Sequence, residues 1–270
     1  MRTIAPYIKN KLVDPAVLSV DEGGNFVIPL LSGHIGGANG FAKVLAKVIK
    51  ATPVVTTATD VNKLFAVDEW AARNNMIINS MKAAKDFAAA LVDGQEVGLF
   101  TDYPIISALP RQIVLKDKGV TGLAITKNRN VNPFDLTVQL WPRNIYLGIG
   151  CRRGTTLESI ETLVLPKLKE LGIDLRTIVG VASVDLKKDE AGLLNFAAKY
   201  NWEISFFTAE ELQNAAGEFS SSDFVKSVVG VSNVCERSAV LAANNGSIIS
   251  SKCSLNGVTL AVAEADIVLL

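Results

Sequence analysis

The chain has a single histidine, His34, within Leu31-Ser32-Gly33-His34-Ile35-Gly36-Gly37-Ala38-Asn39, where an apolar run ends in glycines. Imidazole is the side chain whose ordinary pKa lies nearest neutrality, so His34 is a natural donor or acceptor of a proton. The glycines allow close approach to the backbone, and free N–H groups at a helix start would cradle a phosphate or carboxylate. A loop histidine that merely bonds a neighbouring backbone group is the alternative. A second cluster, Gly148-Ile149-Gly150-Cys151-Arg152-Arg153-Gly154, sets two adjacent cations at a helix start, where the dipole disfavours them unless an anion sits there. A carboxylate-rich ligand would account for Arg152 and Arg153, and so would pairing with Glu158, Asp185 or other acids. Cys151, beside them, is placed for a lowered thiol pKa, although most free cysteines are small core residues.

The elements that must position these groups are legible from spacing. An apolar strand from Phe26 leads into the first glycine turn, and Phe41, Val44, Leu45, Val48 and Ile49 then recur as one helical face. Residues 1–59 read as a helix, two strands turned at Glu22-Gly23-Gly24-Asn25, the glycine turn with its helix, and a strand at Pro53–Thr57. Thr57 and Asp60 close that strand at the edge where open α/β sheets place ligands, although Asp60 could equally cap a turn. Residues 60–143 hold two helical patterns, near Leu64–Arg73 and Lys82–Val92, and extended segments at Glu96–Thr101, Gln112–Leu115, Leu123–Thr126 and Leu136–Leu140, an α+β arrangement.

From 144 to 270 strand and helix alternate, which predicts a mostly parallel α/β sheet. Ile145–Ile149, Ile178–Val184 and Val258–Ala263 are its buried strands. Thr155 and Glu158 spell a capping box for the helix after the second turn, with Leu157, Ile160, Val164, Leu168 and Leu171 on one face. Gly172 ends that helix, and Pro166 predicts a kink inside it. Ser183, Asp185 and Lys187 gather at the end of the second strand, with Lys188 read as surface, and Asn233 is placed to cap another helix.

Composition removes several function classes. With 27 basic and 27 acidic residues in 270, the chain has no broad footprint for nucleic acid or membrane. No apolar run approaches the roughly 18 residues of a membrane span. The N-terminus lacks the apolar core of a secretory signal, so a cytoplasmic location is expected. Cys151, Cys235 and Cys253 have no CxxC spacing, and one histidine cannot build a His-rich site, so no metal is expected. There is no phosphate-loop motif and no nucleophile elbow. Gly148, Gly150 and Gly154 form GxGxxxG rather than the dinucleotide GxGxxG.

Taken together, Ser32–Asn39, Thr56-Thr57-Ala58-Thr59-Asp60-Val61-Asn62, Gly148–Gly154 and Ala182-Ser183-Val184-Asp185-Leu186-Lys187 resemble the CbiG family, the cobalt-precorrin 5A hydrolases of anaerobic cobalamin biosynthesis. The resemblance spans nearly the whole chain and is carried by the pairing of SGHxGGAN with GxGCRRGT. Family members usually begin further upstream, which implies that this chain starts inside a partial N-terminal α/β domain. The resemblance implies a substrate that is a cobalt-bearing tetrapyrrole with a rim of carboxylates and a δ-lactone. Its opening by water and loss of acetaldehyde would make the chain a hydrolase acting on carbon-carbon bonds. Cobalt would enter with the substrate, and no separate cofactor is expected.

With that substrate in view, backbone N–H groups of Ser32–Gly37 would stabilise an oxyanion and His34 would move the proton, with Asp60 and Asp185 in reserve as base. Ser32, Gly33, Gly36, Gly37, Asn39, Thr57, Cys151, Arg152, Arg153, Ser183, Lys187 and Lys252 would line the substrate, the arginines on its carboxylates. A non-catalytic tetrapyrrole carrier is the rival reading, because the last domain resembles a module also found alone in corrin pathways. A dinucleotide enzyme is the third. Homo-oligomers or other corrin-pathway enzymes are the expected partners.

Overall fold

The computed structural model describes residues 2–10, 13–34, 36–56, 64–110, 112–127, 130–219 and 233–269. The chain divides into two compact units, Met1–Trp141 with Leu269–Leu270, and Pro142–Val268. In the first unit, β1 (Val17–Val20), β2 (Phe26–Leu31) and β3 (Thr52–Pro53) form a small sheet in that order, β1 antiparallel and β3 parallel to β2. Helix α1 (Ala38–Ile49) crosses it. The expected opening helix is only a single 3-10 turn, Ala5–Tyr7, with Pro6 inside it. The third strand stops at Pro53, and Thr57 and Asp60 lie outside the described residues.

The face of α1 that meets the sheet differs from the expected one. Val27 packs against Ala42 and Ala46, with Leu45 at the margin. Phe41, Val44 and Val48 are 56%, 61% and 73% exposed. The physical reason is close approach: Ala38, Ala42 and Ala46 make a smooth i, i+4, i+8 stripe that lets the helix lie near β2, and only Leu45 of the larger residues is carried in with it.

The rest of the first unit is built from α2 (Val67–Arg73), β4 (Met76–Ile78), α3 (Met81–Val92), β5 (Val97–Thr101), β6 (Ile113–Leu115), β7 (Gly119–Ile125) and β8 (Phe134–Pro142). Their sheet runs β4-β8-β7-β5-β6, with β5 parallel to β6 and β7, and β7 parallel to β8. Ser80 caps α3 by accepting the Ala83 N–H at 3.2 Å. Trp70 of α2 and Phe87 of α3 both meet the Phe65 ring, with centroids 5.7 and 6.2 Å away, which anchors α2.

The second unit contains β9 (Ile145–Cys151), α4 (Leu157–Glu170), β10 (Ile178–Val184), α5 (Ala191–Tyr200), β11 (Glu203–Phe207), α6 (Ala209–Gln213), α7 (Cys235–Ala242), β12 (Ser247–Leu255) and β13 (Val258–Glu264). Its sheet order is β11-β10-β9-β13-β12; β9, β10 and β11 are parallel, as alternation predicts, and β13 and β12 are antiparallel additions. Strand alternation divides the core. Val258, Leu260 and Val262 of β13 join Ile160, Val164, Leu193 and Phe196 on one face, while Ala261 and Ala263 meet Cys235 and Ala239 of α7 on the other. That second face needs small residues. A Cβ on Gly148 would lie 1.8 Å from the Cys235 carbonyl oxygen, so this glycine is required for α7 to sit on the sheet.

Helix α4 continues through Pro166 and ends as expected: Gly172, at φ +67°, carries a Schellman turn in which the Ile173 N–H reaches the Leu168 carbonyl at 2.9 Å. Its cap is Thr156 rather than Thr155. Thr156 Oγ1 accepts the Ser159 N–H at 3.3 Å, because the Thr155 hydroxyl is already spent on the Arg152 carbonyl at 2.8 Å.

Candidate functional site

The turn between β2 and α1 is folded around its own hydrogen bonds. Ser32 adopts φ +55°, and its hydroxyl donates to the Asp14 carbonyl at 2.7 Å. The Asp14 carboxylate in turn accepts the Lys9 N–H at 3.0 and 3.1 Å. A Cβ on Gly36 would fall 2.3 Å from Ser32 Cβ, so only glycine closes this turn. Gly37, at φ +78°, is the N-cap of α1, and the buried Asn39 side chain lies against Gly33 where a Cβ would be.

The cradle of free N–H groups expected at this helix start is smaller than the sequence implied. The Gly37, Ala38 and Asn39 N–H groups donate to the His34, Ser32 and Gly33 carbonyls at 2.9, 3.0 and 2.9 Å. Gly33 and Gly36 carry N–H groups that none of the described hydrogen bonds uses. A turn this tight pairs the first donors of the helix with its own carbonyls.

His34 has a partner that its neighbourhood in sequence could not reveal. Its Nδ1 lies 3.1 Å from Oδ2 of Asp68, and both side chains are 19% exposed. Asp68 stands in the first turn of α2, and its Oδ1 accepts the Glu69 N–H at 3.1 Å. Burial pushes the Asp68 carboxyl up, but the hydrogen bond and charge of His34, with the Glu69 N–H, pull harder and leave it below the usual carboxylate value. The two acids held in reserve lie elsewhere in the chain. Asp60 is outside the described residues, and Asp185 belongs to the second unit, in the 3-10 turn Asp185–Lys187.

In the second unit, the turns after β9 and β10 are tied together. Arg153 pairs with Asp189 and donates to the Leu186 carbonyl at 2.9 Å. The Gly154 N–H donates to Oε1 of buried Glu190 at 2.8 Å, and Oε2 of the same carboxylate lies 3.3 Å from Lys187 Nζ. One anion seat expected for a ligand is thus filled by the chain's own glutamate. Arg152 is placed differently: its N–H donates to the Gly257 carbonyl at 3.2 Å, and none of the described ion pairs uses its guanidinium. Gly257, at φ +83°, would put a Cβ 2.8 Å from Arg152 Cδ, so its bareness makes room for that side chain.

Other residues in these turns face inward. Ser183 is fully buried, its hydroxyl donating to the Ile149 carbonyl at 2.6 Å. Cys151 ends a strand, where burial pushes its thiol up against the opposing pull of Lys187, contrary to the lowering expected beside two arginines. The Lys252 N–H donates to Glu236 Oε1 at 2.7 Å, and Asn233 Nδ2 reaches Oε2 of the same buried carboxylate at 2.7 Å. Asn233 Oδ1 takes the Glu236 N–H at 3.0 Å, the capping contact expected of it. Among the described residues, no three His, Cys, Asp or Glu side chains converge as a metal ligand set, and no helix is long and apolar enough to cross a membrane.

Known proteins match this sequence over nearly its whole length. The family model for the cobalamin synthesis G N-terminal region matches residues 1–60, that for the cobalamin biosynthesis central region 65–142, and that for the cobalamin synthesis G C-terminus 145–263. A cobalt-precorrin-5A hydrolase of Priestia megaterium is 32% identical over 97% of this chain and 75% of its own length. That of Salmonella typhimurium is 34% identical over 98% of this chain and 79% of its own. A solved cobalamin biosynthesis protein G homolog from Sulfolobus solfataricus is 25% identical, covering 98% of this chain and 78% of that one, with a TM-score of 0.41. All three regions of one family follow in order, and the relatives match almost end to end, so the chain belongs to the CbiG family of cobalamin biosynthesis.

Proposed function

We propose that this chain is a cobalt-precorrin-5A hydrolase of cobalamin biosynthesis. The observation that carries the reading is its identity of 32% and 34%, over nearly its whole length, to two proteins bearing that name. The substrate on this reading is a cobalt tetrapyrrole with carboxylate side chains and a δ-lactone, and its cobalt arrives within it.

His34 takes a proton from water as the water oxygen bonds to the lactone carbonyl carbon. The oxyanion so formed is received by the Gly33 and Gly36 N–H groups. Collapse breaks the ring C–O bond, leaving a carboxylate and a hydroxyl on the two-carbon fragment. Loss of the hydroxyl proton then cleaves the carbon-carbon bond, releasing acetaldehyde while the electron pair passes into the macrocycle, which takes up a proton. Arg152 holds a rim carboxylate by charge-assisted hydrogen bonds. Arg153, engaged with Asp189 and the Leu186 carbonyl, holds the turn instead.

Incubating the purified protein anaerobically with cobalt-precorrin 5A and assaying acetaldehyde tests this. Stoichiometric acetaldehyde is expected. Tight binding of the tetrapyrrole with no acetaldehyde would replace the hydrolase by a carrier.

A further inference from the structure

His34 sits in the glycine turn between β2 and α1, its side chain mostly buried. Asp68 sits on α2, which is anchored by buried Val67, Trp70 and Ala71 and by the contact of Trp70 with Phe65. The 3.1 Å contact between Nδ1 and Oδ2 therefore joins a reactive group on a loop to a fixed carboxylate on a packed helix, 34 residues away in sequence. The second carboxylate oxygen is held by the Glu69 N–H, so the carboxylate itself has one orientation. An ionised carboxylate can only accept, so a neutral imidazole facing it must carry its proton on Nδ1, leaving Nε2 as the basic nitrogen.

We propose that Asp68 is the positioning residue of the reaction: it fixes the tautomer and direction of His34 and stabilises the imidazolium formed when Nε2 takes the proton of water. The catalytic half of this inference rests on the hydrolase reading, while the tautomer half stands without it. The same division of labour operates in Ser-His-Asp sites, where replacing the acid by its amide leaves the geometry and loses the tautomer. A purely structural ion pair would instead cost stability and leave turnover per folded molecule unchanged.

Because His34 is the chain's one histidine, nitrogen-15 labelling of histidine in untagged protein yields a single imidazole signal set. In the native protein, above the imidazole titration, the spectrum should show a protonated Nδ1 and an unprotonated Nε2. Asp68→Asn should shift the population toward the other tautomer, and Asp68→Glu should retain much of the native pattern. In the acetaldehyde assay, Asp68→Asn should lower kcat by about 10²- to 10⁴-fold with KM little changed, with Asp68→Glu recovering part of the loss. A native spectrum dominated by protonated Nε2 would overturn the proposal, and needs no variant to fold. So would an Asp68→Asn protein with native kcat. If native protein releases no acetaldehyde but shows the Nδ1-protonated imidazole responding to Asp68→Asn, the hydrolase reading falls and the positioning of His34 by Asp68 is supported.

Discussion

The two glycine turns begin from similar sequence logic, a strand running through glycines into a helix, and the structure uses them in opposite ways. In the first, the titratable group stays at the turn and is gripped from a distant helix, His34 by Asp68. In the second, Arg153 pairs with Asp189 and Glu190 with Lys187, and Arg152 is outside the ion pairs among the described residues. A glycine turn thus supplies room, and the side chains that reach it from elsewhere determine whether the room becomes a reactive centre or a brace.

The sharpest way to break the comparison is His34→Gln, which keeps a polar side chain in the first turn and removes the titratable nitrogen. Its acetaldehyde release should fall about 10²- to 10⁴-fold with substrate binding retained. Arg152→Ala comes next: a charge-assisted hydrogen bond is worth about 1.5–3 kcal/mol, so KM should rise roughly 10- to 100-fold with kcat nearly unchanged. The scaffold of the second turn is tested by Gly148→Ala. Its methyl would meet backbone of α7, and a loss of about 1–3 kcal/mol or more is expected as a lowered melting transition.

A smaller effect is expected on acidification. The Asp68 carboxyl is held below its usual value in the folded chain, so its contribution to stability is fully present above the ordinary carboxylate range near pH 4 and is lost as pH falls through the folded value. Acid unfolding followed by circular dichroism should show that component, and Asp68→Asn should abolish it. Smallest of all is Arg153→Ala. Its partner is a surface carboxylate screened by water, so both melting temperature and KM should stay close to native. A large rise in KM for Arg153→Ala with none for Arg152→Ala would reverse the roles assigned to the two arginines.

The strands Ile145–Ile149, Ile178–Val184 and Val258–Ala263, the glycine stop of α4 and both glycine turns were readable because they depend on local periodicity and on residues a few positions apart. The same local rules misplaced the cap of α4 by one residue, since they could not register that Thr155 is already bonded to Arg152. They also chose Phe41, Val44 and Val48 as the buried face of α1, because hydrophobicity ranks those residues above alanine. Packing distance instead favoured Ala42 and Ala46 against Val27.

The candidate site divides along the same line. His34, the glycines around it and the arginine pair stand out by residue type and spacing alone, since turn geometry and charge placement act over a few bonds of chain. Asp68 does not stand out, because an acid in the first turn of a helix is ordinary and nothing nearby in sequence points from it to His34. The raised thiol of Cys151, the filling of the Gly154 seat by Glu190 and the pairing of His34 all depend on which distant groups are brought within about 3 Å and shielded from water. Electrostatic interaction follows distance in space and local burial, and chain position fixes neither until the fold has closed.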